Sequence, residues 1–201
     1  MIKGARLWAD RDTYYSQQNN PTEELLRKRV EQSRLESCGP TASVNCLAVL
    51  GYDLRVLCPG PYRPQPEEIL MDWFQDPRNY ERLAATRQDI NPLQTPGNRV
   101  AQYYPPAVAD VFSAHADFAW INRFALLAEY LCKGYALQIC LRNPGHYIAA
   151  VAYDEETEEV IYRDPWPDRL PDHNGFNRRL GVDEYIRNVK GYAIIYTGGN
   201  Q

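Results

Sequence analysis

The apolar positions of this chain change period several times, and each change marks an element. Val44, Leu47, Ala48 and Leu50 recur at helical spacing behind Pro40, which a first helical turn tolerates, and Gly51 follows as a stop. That predicts a helix opening at Cys38. Upstream, Thr22 with Glu24, Leu25, Leu26 and Val30 predicts an N-capped helix over 22–33, after an irregular or short-strand lead-in at 1–21. Downstream, 52–66 is rich in proline, and 66–74 reads as a helix with acids in its first turn and Ile69, Leu70, Trp73 and Phe74 on its apolar side. A weaker helix follows near 80–83. Residues 91–106 hold four prolines and read as loop, either lining a cleft or making a surface excursion. Helical spacing returns from Ala107 and strengthens over 120–132, with Phe124, Leu127, Ala128 and Leu131 on one face and Gly134 as terminator. His115 falls inside this helix-like stretch as a surface or half-buried residue. Strand-length apolar runs then occupy 136–141, 146–154 and 160–164, followed by a polar loop, a short helix near 182–188 and a last strand at 192–196.

Two of these elements carry candidate chemistry. A cysteine at a helix N-terminus meets the partial positive charge of unpaired N–H groups, which favours thiolate over thiol, and the thiolate is the form that attacks carbonyl carbon. Cys38 holds that position. Asn143, Pro144 and Gly145 form a turn signal before His146, and Glu155 to Glu158 form the polar tip of a hairpin whose second strand ends at Asp164. In an antiparallel pair the start of one strand lies beside the end of the next, so His146 and Asp164 are expected neighbours. A base and the carboxylate that orients it require that arrangement. Arg163 is expected to face solvent beside them. Asp172 and His173 have no partners at ligand spacing, and no metal site is expected.

Cys38-Gly39-Pro40-Thr41 opening a helix, Gly145-His146-Tyr147 opening a strand, and Asp164-Pro165 closing the next resemble the papain-like cysteine peptidases related to the bacteriocin leader-processing (C39-like) peptidases. The resemblance covers about 30–55 and 120–167. It implies an α+β fold in which a helical half, with the nucleophile helix, packs on an antiparallel sheet, and a catalytic trio of Cys38, His146 and Asp164. It also implies an oxyanion hole made by the Cys38 N–H and a glutamine amide. Two glutamines compete for that role: Gln32, six residues before Cys38, and Gln17, farther upstream in Tyr15-Ser16-Gln17-Gln18-Asn19-Asn20. Trp166 is expected to shield the His–Asp pair and to touch substrate, or else to serve as a core aromatic.

Composition narrows the setting. The 201 residues, 44% apolar and 24% charged, suit one folded domain over 1–201, with 1–21 as lead-in and 52–106 as an insertion between nucleophile helix and sheet. A net charge of −4 without a basic cluster argues against a nucleic-acid partner. Five cysteines without a CxxC pair read as reduced thiols rather than a disulfide framework or zinc site, and no cofactor is expected. The first ten residues lack a hydrophobic signal core and no run is long enough to span a bilayer. The expected setting is a cytoplasm, without membrane insertion, with non-classical export or phage release left open. A peptide, a protein or a cell-wall cross-link fits as substrate. A transglutaminase, deamidase or acyltransferase using the same trio, or an inactive binding module, are the alternatives, and oligomeric state is not set by the sequence.

Overall fold

The computed structural model describes residues 1–17, 37–54 and 65–198. The helix expected at 22–33, Gln32 and Cys58 lie outside the described residues. Among those described, the architecture is α+β: one antiparallel sheet with helices on both faces.

The sheet has seven strands. β1 is Ile2–Gly4, β2 Ala116–Trp120, β3 Ala136–Leu141, β4 His146–Asp154, β5 Glu159–Arg163, β6 Arg178–Leu180 and β7 Val189–Tyr196. They lie in the order β2-β7-β3-β4-β5-β6, and β1 pairs with the far end of β4 through Ile2↔Asp154 and Gly4↔Ala152. That position is free because β3 pairs with β4 only as far as Leu137↔Ala150. β2 and β6 lie within stretches whose sequence reads as helix and as polar loop; both are edge strands, where pairing to β7 and β5 outweighs weak local preference.

The helices are α1 Cys38–Val49, α2 Pro66–Gln75, α3 Tyr80–Thr86, α4 Tyr104–Phe112, α5 Phe124–Cys132 and α6 Val182–Asn188. Residues 91–106 are not a plain loop. They wind into 3-10 turns at Gly97–Arg99 and Ala101–Tyr103 and then enter α4, whose first turn accommodates Pro105 and Pro106.

Alternation along β3 explains the layering. Ala136 and Cys140 join the core beneath α1, whereas Leu137, Ile139 and Leu141 join the opposite core with Leu127 and Leu131 of α5. In β4, Tyr147, Ala149 and Val151 face α1, and a bulge between Ala150 and Ala152 turns Ala152 to that side as well. α1 is buried on every side from Gly39 to Val49, so its apolar spacing marks a central helix rather than a one-faced one. Gly51 ends it at φ +91, a left-handed conformation suited to glycine, with its N–H on the Ala48 carbonyl at 3.0 Å.

Candidate active site

Cys38 is the first residue of α1, half-buried, at the end of the helix that faces the start of β4. Gly39 behind it is held closely: a Cβ there would lie 1.9 Å from the Tyr104 hydroxyl, so only glycine fits. The Tyr104 hydroxyl in turn donates to the Asn98 carbonyl at 2.6 Å. From below, Gln138 of β3 donates to the Gly39 carbonyl at 3.2 Å, while its own oxygen accepts from Ser43 and Tyr196, each at 2.7 Å. A buried polar network thus fixes the first turn of α1 to the sheet.

The β4–β5 register pairs Ala149 with Arg163, which sets Ile148 opposite Asp164 and makes His146 its diagonal neighbour. His146 Nε2 lies 2.6 Å from Asp164 Oδ1, with both side chains buried. That bond leaves Nδ1 as the imidazole nitrogen for the thiol. Thiol and imidazole act on each other's charge, His146 drawing the thiol down and Cys38 drawing the imidazole up. Asp164 has further partners: the Trp166 N–H donates to Oδ1 at 2.9 Å and Arg169 Nε to Oδ2 at 2.8 Å. Trp166 is half-buried, and its ring meets His146 edge-on at 6.3 Å.

Three shifts describe the electrostatics. Burial pushes the Cys38 thiol up, but the hydrogen bond and charge of His146, with N–H groups of Tyr147 and Gly39, outweigh it and bring it below the ordinary cysteine value. For His146, burial pulls down, while Asp164 and Cys38 pull up and prevail. For Asp164, burial pushes up, and His146, Arg169 and the Trp166 N–H hold it below the usual carboxylate range. Together they favour a thiolate–imidazolium pair with an ionised acid behind it.

The approach to Asp164 is built from the other end of the chain. Asn45 of α1 clasps Tyr15 on both sides, accepting from its N–H at 3.0 Å and donating to its carbonyl at 2.8 Å. Tyr14 then donates to the Asp164 carbonyl at 2.7 Å, and the Gln17 N–H to the Pro165 carbonyl at 2.9 Å. Gln17 is buried there, beside the exit of β5. Arg163, expected at the surface, is fully buried: its guanidinium donates to the carbonyls of Thr13 at 2.5 Å, Trp8 at 3.1 Å and Asp10 at 3.0 Å. The Asp10 carbonyl also accepts from the Thr13 N–H at 3.3 Å and hydroxyl at 2.7 Å, so the guanidinium completes the pairing of backbone oxygens turned inward by this irregular lead-in. Gly175 closes the arrangement, since a Cβ there would lie 2.2 Å from both the Asp164 carbonyl and the Tyr14 hydroxyl. Neither Arg169 nor this N-terminal clamp is marked by any periodic signal in the sequence.

A cleft of about 330 Å³ opens beside Cys38, lined by Asn98, Arg99, Cys140, Tyr147, Lys190 and Tyr192 among others. The 91–106 segment therefore reaches the site through Asn98 and Arg99. His115 and His173 are exposed and lie away from this cleft, His115 against Thr197 and His173 against Asp168. Among the described residues no cluster of His, Cys, Asp and Glu could hold a metal ion, and no helix is long and apolar enough to cross a membrane.

A model of the Peptidase_C39 like family matches residues 12–180, and the chain belongs to that family. Membership implies, in general terms, a cysteine peptidase. Among solved structures, the N-terminal peptidase C39 like domain of the toxin secretion ATP-binding protein from Vibrio parahaemolyticus is similar at 11% identity and a TM-score of 0.33, over 48% of this chain and 68% of that one. No curated protein matches.

Proposed function

We propose that the protein hydrolyses a peptide or isopeptide bond through Cys38, His146 and Asp164. The observation that carries this reading is the buried His146–Asp164 contact at 2.6 Å, with Nε2 committed to the carboxylate, beside a Cys38 thiol that His146 draws below its ordinary value. The thiolate of Cys38 attacks the substrate carbonyl carbon, and the displaced π pair moves onto oxygen. The Cys38 N–H, at the helix tip, receives that oxyanion. Gln17 is the described candidate for a second donor, supported by its burial beside Pro165; Gln32 is the other. Collapse of the adduct breaks the C–N bond, and His146 gives its proton to the departing amine. His146 then takes a proton from water, whose oxygen attacks the thioester carbon; the second adduct breaks its C–S bond, releasing the acid and returning Cys38 as a thiolate beside protonated His146. Asp164 holds the imidazole orientation and stabilises its cation throughout, with Trp166 screening the pair from water and facing the substrate.

The test is cleavage of a panel of linear and isopeptide-linked peptides, with products read by mass spectrometry. Cys38→Ala is expected to abolish cleavage without changing the melting temperature by more than a few degrees. Iodoacetamide is expected to label Cys38 well before exposed Cys132 or buried Cys46 and Cys140. Equal labelling of these thiols, or cleavage that survives Cys38→Ala, overturns the reading. Deamidated or cross-linked glutamine in place of cut ends assigns acyl transfer instead.

A further inference from the structure

The cleft beside Cys38 is lined by cationic side chains, although the chain as a whole is acidic. The chain as a whole carries −4, yet the cleft is lined by Lys190 and Arg99 and by no carboxylate among the described residues. Arg99 comes from the 3-10 turn on one side and Lys190 from β7 on the other, so the two cations belong to different elements brought to one concavity. No carboxylate pairs with Lys190 among the described residues, and its charge draws on the Cys140 thiol against the effect of burial. The same cleft is lined by two tyrosines, Tyr147 and Tyr192, whose hydroxyls lie 3.4 Å apart. Burial pushes both phenols upward, so each keeps a proton to donate. A concave, partly desolvated site focuses such a field and favours an anion.

We infer that this cleft binds a carboxylate of the substrate next to the bond being cut, the Lys190 ammonium supplying the charge and Tyr192 a hydrogen bond. The inference rests on the peptidase reading above. An extended chain suits the site better than a small free acid, because the wall continues outward as aromatic surface. Trp120 pairs directly with Tyr192 across β2 and β7, 70% exposed, with its ring 6.2 Å from the Tyr192 ring, and Phe118 lies 5.8 Å from the same ring. The carboxylate can come from an acidic side chain or from the end of a peptide; the chemistry that recognises it is the same.

The experiment uses three peptides that differ at positions flanking one scissile bond: capped with Glu, capped with Gln, and Gln with a free C-terminus. Affinity is measured on Cys38→Ala protein and cleavage on the unaltered protein. The Glu peptide, or the free-terminus peptide, is expected to bind about tenfold tighter than capped Gln, the scale of one charge-assisted contact. Preference for Glu assigns an acidic residue; preference for the free end assigns a terminal carboxylate. Lys190→Glu should reverse the order and favour a capped Lys peptide, a rescue that misfolding could not produce. Equal binding of all three, or none by any, overturns the inference. Cleavage with no charge preference leaves the peptidase reading intact while removing this one, and charge-dependent binding without cleavage does the converse.

Discussion

Asp164 divides its oxygens between partners of different kinds: Oδ1 serves the imidazole and a backbone N–H, and Oδ2 serves a guanidinium. That allocation makes Asn an informative replacement, because it keeps the shape and one acceptor while removing the charge. In the folded protein His146 is held above its ordinary value, with burial opposing and Asp164 supporting the cation. Asp164→Asn removes that support, so the imidazolium loses its proton at lower pH. The alkaline limb of the pH–rate profile is expected to move to lower pH, with a loss of at least about tenfold at neutral pH. An unmoved limb would mean that Asp164 serves structure alone. The positions of Cys38, His146 and Asp164 in the fold were legible because each stands at an element boundary that turn and helix signals mark. Arg163 was misjudged because strand alternation says nothing of an irregular segment lying across the sheet end, and Arg169 because a 3-10 turn has no periodicity to read.

The elements that position the site were legible in proportion to their local signal. β3 to β5 have long apolar runs and were readable to within a residue, whereas α5 was readable at its end but begins four residues later than its apolar run suggests. β2, with the sequence Ala116-Asp117-Phe118-Ala119-Trp120, reads locally as a continuation of helix and becomes a strand only by pairing with β7. Gln138 was the signal left unused: a single polar residue in an otherwise apolar strand marks a place where the interior needs a hydrogen bond. Replacing it in Gln138→Leu removes the acceptor shared by Ser43 and Tyr196 and the donor to the Gly39 carbonyl. The expected cost is about 1–3 kcal/mol, measured by denaturant unfolding. Because the Gly39 carbonyl sits beside the nucleophile, iodoacetamide labelling of Cys38 should slow as well. Loss of stability with an unchanged labelling rate would separate the network from the site.

At the scale of the whole molecule, one group sets a pH limit on folding. Glu67 lies in the first turn of α2, fully buried, and neither carboxylate oxygen has a hydrogen-bond partner among the described residues. Burial pushes its carboxyl from 4.5 up to about 8. Between those values the folded protein keeps a proton that the unfolded chain releases, so stability falls as pH rises from about 4.5 to about 8 and stays low above. Glu67→Gln should raise stability at pH 8 by an amount on the order of a few kcal/mol and flatten that slope. Melting temperatures at pH 5 and pH 8 decide it, and equal slopes in both proteins would reject it. The remaining global feature is how the two ends of the sequence meet. Residues 8 to 15 are clasped by Asn45 and Arg163, and the acid they help seat is closed off by Gly175. On a ribosome, residues 8 to 15 must therefore wait for Asp164 and Gly175 before that seat exists, so a nascent chain exposes Cys38 long before the acid behind His146 can be held in place.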